Sequence, residues 1–503
     1  LKKPTMLAIV GGGANGAATF IHLVLKLITE PIQACVSLVL IEKDEEFGPG
    51  LAYGTEERGH ILNTAAGLMG IFAEEPMHFV TWLQQNQSMV QEKFPGVEIH
   101  AHAYVPRRLY GQYVKDVLEE YVQLARQHEM DVKLLRDEAV DAEVAEDNVV
   151  LKLESGGTVE ADVAVLATGT PKPSNFTHLR SSPHYFDFPW PAHPFLKTIP
   201  RDAAVSILGT SLTAIDTVVA FLDHGHTGKL TLYSRHGLLP RIQTPFDVSF
   251  EREILTRENI RKIIRQKKRA LRAKDLFRLF QAEAERVMGK QDDWKKFNRV
   301  DKPHLELLKY DVEVAKKGES TFQNIAFSTR YLAFHVWKLL PAKERVLFMK
   351  WFGPHWDINR HGMPLQNGYK LLKMLESGQL TIKAHSSNVE WKKDEKLFYM
   401  HLDDGKVDKA PYLINATGTA KKVKNMEVPL LQELLRKALI VPHQAGGVQA
   451  DPHTLQLHVP DHPDAPLYGV GQLLVGELFD TNSVWFNVAR IDYMTTDILR
   501  RIS

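Results

Sequence analysis

The chain has 503 residues, 44% of them hydrophobic, a length that allows about three to four domains with sizeable cores. Its 62 Lys plus Arg nearly balance 61 Asp plus Glu, so no global field draws it to nucleic acid or to an anionic membrane. The lone cysteine, Cys35, excludes an intrachain disulfide and a C-x-x-C dithiol, and its place before an apolar strand reads as an inert core position. No apolar run approaches the ~18 residues of a membrane-spanning helix and no secretory cleavage pattern is present, so a cytoplasmic protein without a transmembrane segment is expected.

The first element is a buried strand, residues 7–10, that runs through Gly11-Gly12-Gly13-Ala14-Asn15-Gly16 into a helix. This is G-x-G-x-x-G in the context that gives it meaning. Gly11 suits the tight turn, Gly13 the approach of backbone to a pyrophosphate, and Gly16 close packing of helix on strand, with the phosphates at the helix N-terminus. A second apolar strand, residues 36–41, ends at Glu42 and Lys43, where an acidic side chain can take ribose hydroxyls. These features predict a dinucleotide site. The Gly-rich stretch 48–55, with His60 to Thr64 after it, is expected to form an irregular loop that covers the cofactor.

Pro106 opens a helix that reaches the mid-120s, with Arg107 and Arg108 at its start. A cation there opposes the helix dipole, so one of the two is expected to meet a phosphate or carboxylate. Strand-like segments at 131–135, 139–145 and 149–153 suggest a small antiparallel sheet inserted before the buried strand 162–166, which ends in Ala167-Thr168-Gly169.

A second strand, turn and helix start at 204–216, with Gly209 in the first glycine position, Ser211 in the second and Ala214 in the third; Thr213 lies between them. The next strand, 229–233, leads to Arg235, where a 2′-phosphate would be held. From about 250 to 352 the pattern is helical and charged. The polar stretch 356–364 reads as an irregular substrate-side segment, with Arg360 for a substrate carboxylate and His361 for proton transfer. Strands resume near Leu380 and end in a second Ala-Thr-Gly, residues 416–418; a last strand from Leu467, a loop and a helix complete the chain.

Two nucleotide-fold halves, two Ala-Thr-Gly strand ends and a returning C-terminal strand resemble the two-dinucleotide-binding flavoproteins. Residues 50–54, 60–63, Met69, 79–83, 105–111 and 234–240 resemble FAD/NAD(P)-binding proteins related to flavin-dependent N-hydroxylating monooxygenases. The resemblance implies an α/β fold with two Rossmann-like domains, one for FAD and one for NAD(P)H, and a mostly helical insertion. It implies an FAD-binding domain begun by 1–200 and completed by 421–503, an NAD(P)H domain formed by 201–250 and 379–420, and an insertion at 251–378 for substrate or interaction. By the same resemblance Gly11, Gly13, Asn15, Gly16, Glu42, Lys43, Tyr53, Asn63, Arg107, Thr168 and Gly169 hold FAD. Gly209, Ser211, Thr213 and Arg235 contact NADPH or NADH. Where a Gly-Asp pair commonly binds the flavin ribityl chain, this chain has Gly471-Gln472.

The implied activity is that of an FAD-dependent NAD(P)H oxidoreductase, a monooxygenase hydroxylating a small nitrogen-containing substrate with O₂ through a C4a-(hydro)peroxyflavin. Two alternatives stand beside it. One is a flavin-linked dehydrogenase or oxidase without oxygen insertion. The other is an FAD-binding interaction protein whose NAD(P)H half does not function. The sequence picks out no metal set and no nucleic-acid partner, and it leaves room for an oligomer.

Overall fold

Every residue of the strands Val36–Glu42 and Val163–Leu166 is buried, as aliphatic runs covered on both faces must be. They belong to a five-stranded sheet whose order across is Leu467–Gly469, Val163–Leu166, Thr5–Val10, Val36–Glu42 and Asp131–Arg136, all parallel. The computed structural model describes residues 4–30, 35–245, 250–289, 299–318 and 320–503. Within it the chain forms two compact units, and this sheet is the centre of the first, made of Leu1–Glu56, Thr64–Pro171 and Ala420–Ser503.

Helices Ala14–Thr29, Arg107–Gln127 and Val484–Ile502 cover that sheet, the first packing against the other two. Asp492 pins the last helix to the first: Lys26 Nζ lies 2.8 Å from its carboxylate and also donates to its carbonyl at 2.7 Å. The His22 ring, 3.7 Å away, and Lys26 hold the Asp492 carboxyl down at about 2 against the opposing effect of burial. Because the folded form binds its proton less tightly than the unfolded chain, the contribution is complete above about pH 4 and is lost as pH falls toward 2. Asp492→Asn is expected to cost about 1–2 kcal/mol near neutral pH, after allowance for solvent screening, and only a few tenths of that at pH 2, where the folded carboxyl is half protonated, as urea melts at both pH values would measure.

The structure revises three sequence expectations in this unit. Asp131–Arg136 does not join the antiparallel sheet, which consists of Ala139–Val144, Val149–Leu153 and Thr158–Ala161. It forms the edge of the parallel sheet, where Asp131, Lys133 and Arg136 discourage further pairing. Cys35 is exposed rather than a core residue, since burial begins one residue later at Val36. The Gly-rich stretch contains one turn of helix, Gly50–Tyr53.

The second unit, Glu57–Asn63 and Lys172–Thr419, has its own parallel sheet in the order Leu380–Lys383, Leu230–Tyr233, Val205–Leu208, Tyr412–Asn415 and Tyr185–Phe186. The two-residue edge strand 185–186 has no periodicity to announce it and was not read from the sequence. Val205, Ile207, Leu230, Leu232 and Ile414 make one core with Ile215, Val218 and Val219 of helix Leu212–Asp223 and Leu371 and Met374 of helix Leu365–Glu376. Among the described residues the insertion is mostly helical, with helices from Arg257–Lys267 to Ala342–Trp351 where the pattern is helical, followed by Gly353–Arg360 and Leu365–Glu376. Strands Ser386–Lys392, Leu397–Leu402 and Val407–Ala410 form a small antiparallel sheet. The architecture is α/β with two Rossmann-like sheets.

Candidate cofactor and substrate sites

In the first unit the glycine turn is built by close contact rather than by flexibility. Gly11 has φ +100°, and a Cβ there would fall 2.2 Å from the carbonyl oxygen of Ala167, the first residue of the Ala-Thr-Gly end. A Cβ on Gly16 would fall 1.8 Å from the Gly11 carbonyl oxygen. The turn therefore lies directly on its own helix and on the neighbouring strand end. Gly13 is extended (φ −70°, ψ −172°), a conformation open to any residue, and the room it leaves is taken by Gly50, whose Cα would lie 3.3 Å from a Cβ at 13. The covering loop expected from the glycine content thus packs on the turn itself, and Gly48 N–H donates to the Gly12 carbonyl at 2.6 Å.

Glu42 is buried, and its carboxylate accepts from Gly12 N–H at 2.7 Å and from Asp44 N–H at 3.0 Å. It braces the turn while keeping acceptor capacity for a hydroxyl. Lys43 turns outward to Glu138 at 3.2 Å. Asn15 approaches Gly471, where an added Cβ would fall 2.4 Å from Asn15 Nδ2. The structure thus gathers Gly11, Gly13, Asn15, Gly16, Glu42 and Gly471 around one turn. Gln472 follows, half-buried, in the helical turn Gly471–Leu474. Thr168 is half-buried and Gly169 exposed, with φ +73° and nothing within 4 Å of an added Cβ.

At the start of Arg107–Gln127, Arg108 grips Glu46 with both terminal nitrogens at 2.6 and 3.1 Å, and Lys115 adds a contact at 3.3 Å. The Arg108 hydrogen bond holds the Glu46 carboxyl below its usual range. Arg107 acts electrostatically on Tyr53, whose hydroxyl burial pushes up to about 12 while Arg107 pulls it down. Tyr53 meets the Tyr110 ring edge-on at 4.6 Å. Gly111 admits the short helix, since its Cβ would fall 2.4 Å from the Tyr53 carbonyl oxygen. The contributions of Glu46 and Gly111 were not assigned from sequence; only the second, as a glycine inside an otherwise helical pattern, carried a signal.

The second unit repeats the turn. Gly209 has φ +115°, and its Cβ would fall 2.3 Å from the Ala416 carbonyl oxygen, the counterpart of Ala167 in the other Ala-Thr-Gly. Ser211 is exposed and extended (φ −91°, ψ −171°), the backbone that Gly13 adopts, so serine there needs no strained geometry. Ala214 is fully buried in the third position. Thr210 Oγ1 donates to the Leu238 carbonyl at 2.6 Å, and Ser234 Oγ accepts from Gly237 N–H at 2.9 Å, which fixes the chain on either side of Arg235. Arg235 is exposed at that strand end, and Thr213 is half-buried in the first turn of the helix. Asn63 belongs to this unit, in the segment where the His60 ring bonds the Asp216 carbonyl at 3.1 Å and packs 4.6 Å from Trp190.

The substrate-side segment 356–364 is irregular only from His361 to Pro364; its first half is helical. Gly353–Arg360 is a helix with Pro354 in its first turn, and Arg360 ends it with its guanidinium 5.6 Å from the Phe327 ring centroid. His361 N–H donates to the Asp357 carbonyl at 2.9 Å. The helix's buried residues are Gly353, Ile358 and Asn359, too few apolar positions to give a helical period, and Asn359 accepts from Arg241 Nε.

Two glycine turns, each locked under an Ala-Thr-Gly strand end on its own parallel sheet, give the chain two Rossmann-like units. Residues 8–171 match the model of a family described as FAD-NAD(P)-binding. An uncharacterized protein of Escherichia coli (strain K12), YdhS, is 23% identical over 482 residues, 86% of either chain. Among solved structures, ornithine hydroxylase from Pseudomonas aeruginosa superposes with a TM-score of 0.60 at 11% identity, covering 99% of this chain and 100% of that one. Ornithine N-hydroxylase of Kutzneria sp. 744, whose structure is described with reduced FAD, NADP⁺ and L-orn, does so with a TM-score of 0.60 at 14% identity over the whole of both chains. The chain is related in fold to the N-hydroxylating flavin monooxygenases, as its sequence resemblance implied. Among the described residues no helix is long and apolar enough to cross a membrane.

Proposed function

We propose that this chain is an FAD-dependent NAD(P)H oxidoreductase, and within that class a monooxygenase that hydroxylates a small nitrogen-containing substrate with O₂. The observation that carries the reading is the duplicated turn, Gly11 under Ala167 and Gly209 under Ala416. Gly11, Gly13, Asn15 and Gly16 with Glu42 suit the adenosine diphosphate part of FAD, because the turn excludes side chains and its acid retains acceptor capacity. Bound FAD supplies an electron carrier that a nicotinamide reduces and O₂ reoxidises. Tyr53 stays protonated at neutral pH and can donate a hydrogen bond beside Arg107. Thr168, Gly169, Gly471 and the neutral Gln472 line the remaining strand ends of that sheet. Lys43, engaged with Glu138, contributes charge at the ribose end.

Gly209, Ser211, Thr213 and Arg235 are the nicotinamide side in this reading, with Asn63 carried on the same unit. Arg235 is the choice for a 2′-phosphate because it stands exposed at the end of the strand after the turn. Arg235→Ala is expected to raise the KM for NADPH about tenfold and leave that for NADH unchanged, the loss of one charge-assisted contact. Equal effects on both nicotinamides in steady-state assays would remove Arg235 from that role. Arg360 and His361 are kept as the substrate-side cation and proton carrier.

The test is anaerobic reduction of the FAD-reconstituted chain by NADPH, followed by O₂ in the presence of L-ornithine, L-lysine or cadaverine, the amines named for structural relatives. Hydroxylamine product matching the O₂ consumed is the expected result. If all reducing equivalents appear as peroxide with every amine, the oxidase reading replaces oxygen insertion. If neither NADPH nor NADH bleaches the flavin, the chain is an FAD-binding interaction protein.

A further inference from the structure

One helix of the second unit has its polarity reversed. Ala342–Trp351 buries a single residue, Arg345, whose Nε donates to the carbonyls of Trp337 and Leu340 at 3.1 and 3.0 Å. None of its apolar residues is buried, and Trp351 is 62% exposed and Val346 38%. A helix held by core packing turns its apolar stripe inward, whereas an apolar patch left open beside charges marks a surface that meets something else.

The apolar surface continues onto the neighbouring helix, Ala273–Met288. Ala273 N–H donates to Glu344 Oε2 at 2.9 Å, and the Phe277 ring stacks on that of Phe352, the residue after Trp351, at 5.0 Å. Phe277 is itself 39% exposed. Cations lie among these side chains. Exposed Lys274 and Arg278 share a helix face with Phe277, exposed Lys343 and Lys350 stand within about a turn of Val346, and Lys350 Nζ lies 5.1 Å from the centroid of the Trp351 ring. The acids of the same stretch are engaged: Asp275 is buried and ion-paired with Lys267 and Arg269 at 2.7 and 2.8 Å, and Glu344 is half-buried on Ala273 N–H. The preceding helix, Arg257–Lys267, adds exposed Arg261, Lys262 and Arg265 against one exposed acid, Glu258. In a chain whose charges nearly balance, this is a local concentration of positive charge.

We propose that the face formed by 274–278 and 343–351 docks the protein peripherally on an anionic phospholipid surface. Phe277, Val346 and Trp351 enter the headgroup region, and the lysines and Arg278 lay their apolar stems along it while their charges stay at the level of the lipid phosphates. The composition selects lipid over other polyanions or a protein partner. Lysine is depleted from protein interfaces, yet here lysines are interleaved with the apolar side chains. An aliphatic Val346 offers no ring on which a nucleic-acid base could stack. The inference does not depend on the flavin reading.

Co-sedimentation of the full chain with vesicles of phosphatidylcholine alone, and of phosphatidylcholine mixed with phosphatidylglycerol, at roughly 0.1 M salt tests it. Binding to the mixed vesicles only is expected, weakening as salt is raised. Trp351→Ala should reduce it about tenfold by removing an apolar anchor. Lys274→Glu combined with Arg278→Glu should reduce it at least about tenfold, because each cation near an anionic surface is worth about fivefold. All three side chains are exposed, so these variants should fold normally, as circular dichroism would check. Lys393→Glu, at an exposed cation between the strands Ser386–Lys392 and Leu397–Leu402, should leave binding unchanged. The proposal is overturned if the mixed vesicles do not bind, if phosphatidylcholine alone binds equally well, or if either patch variant binds like the parent chain. It also fails if the chain retains a single-stranded oligonucleotide but no vesicle at that salt, or if Trp351→Ala dissociates a dimer in sedimentation velocity while vesicle binding is unaltered.

Discussion

Gly11→Ala is expected to give a chain that purifies without flavin absorbance and does not regain it on incubation with FAD. Two costs combine at this position. The backbone has φ +100°, which an alanine Cβ disfavours, and that Cβ would lie 2.2 Å from the Ala167 carbonyl oxygen, an atom fixed by the sheet. Unfavourable φ and overpacking together amount to about 2–5 kcal/mol. The turn relieves the clash only by moving off the strand end, and with it moves Gly12, whose N–H holds Glu42 at 2.7 Å. Visible absorbance after gel filtration, with circular dichroism to check that the chain is folded, measures the effect. A folded Gly11→Ala protein that still carries stoichiometric FAD would remove the first turn from the cofactor assignment.

Gly209→Ala is the complementary experiment in the other unit. Its φ of +115° and the 2.3 Å approach to the Ala416 carbonyl oxygen predict a local disturbance of the same size. The expected outcome differs: flavin absorbance is retained, but anaerobic bleaching by NADPH slows at least about a hundredfold, the equivalent of roughly 3 kcal/mol. Stopped-flow absorbance reads the rate directly. Loss of flavin in both variants, or unaltered reduction in Gly209→Ala, would undo the division of cofactors between the units.

The two turns also mark how far the residues themselves could be read. Both were visible because a glycine pattern follows an aliphatic strand, a local signal that needs no knowledge of the fold. The Ala-Thr-Gly ends were visible as well, read as small residues beside a cofactor, yet their packing on the glycine turns was not. Only the parallel pairing of Val163–Leu166 with Thr5–Val10, and of Tyr412–Asn415 with Val205–Leu208, sets each alanine carbonyl against its glycine. Gly13 shows the same limit: its missing side chain makes room for Gly50, far away in sequence. That Arg108 pairs with Glu46 is likewise set by the fold and not by local sequence.

Each misread segment has its own physical cause. Asp131–Arg136 has the composition of a small-sheet strand, but the edge of the parallel sheet was open and Val36–Glu42 offered it a full ladder. Residues 356–360 looked irregular because Ile358 is their single buried apolar position and the buried Asn359 beside it bonds Arg241. Cys35 was taken for a core residue from the apolar run after it, while burial starts at Val36.

By itself the sequence determined the class of fold, the two turn positions, the helical character of the insertion and the absence of dithiol chemistry, because each depends on local backbone preference or on simple residue counts. Tertiary structure alone decided which carbonyl each glycine must avoid and that Arg108 pairs with Glu46. Those outcomes depend on contacts between residues distant along the chain, and no periodicity within a segment encodes its partner.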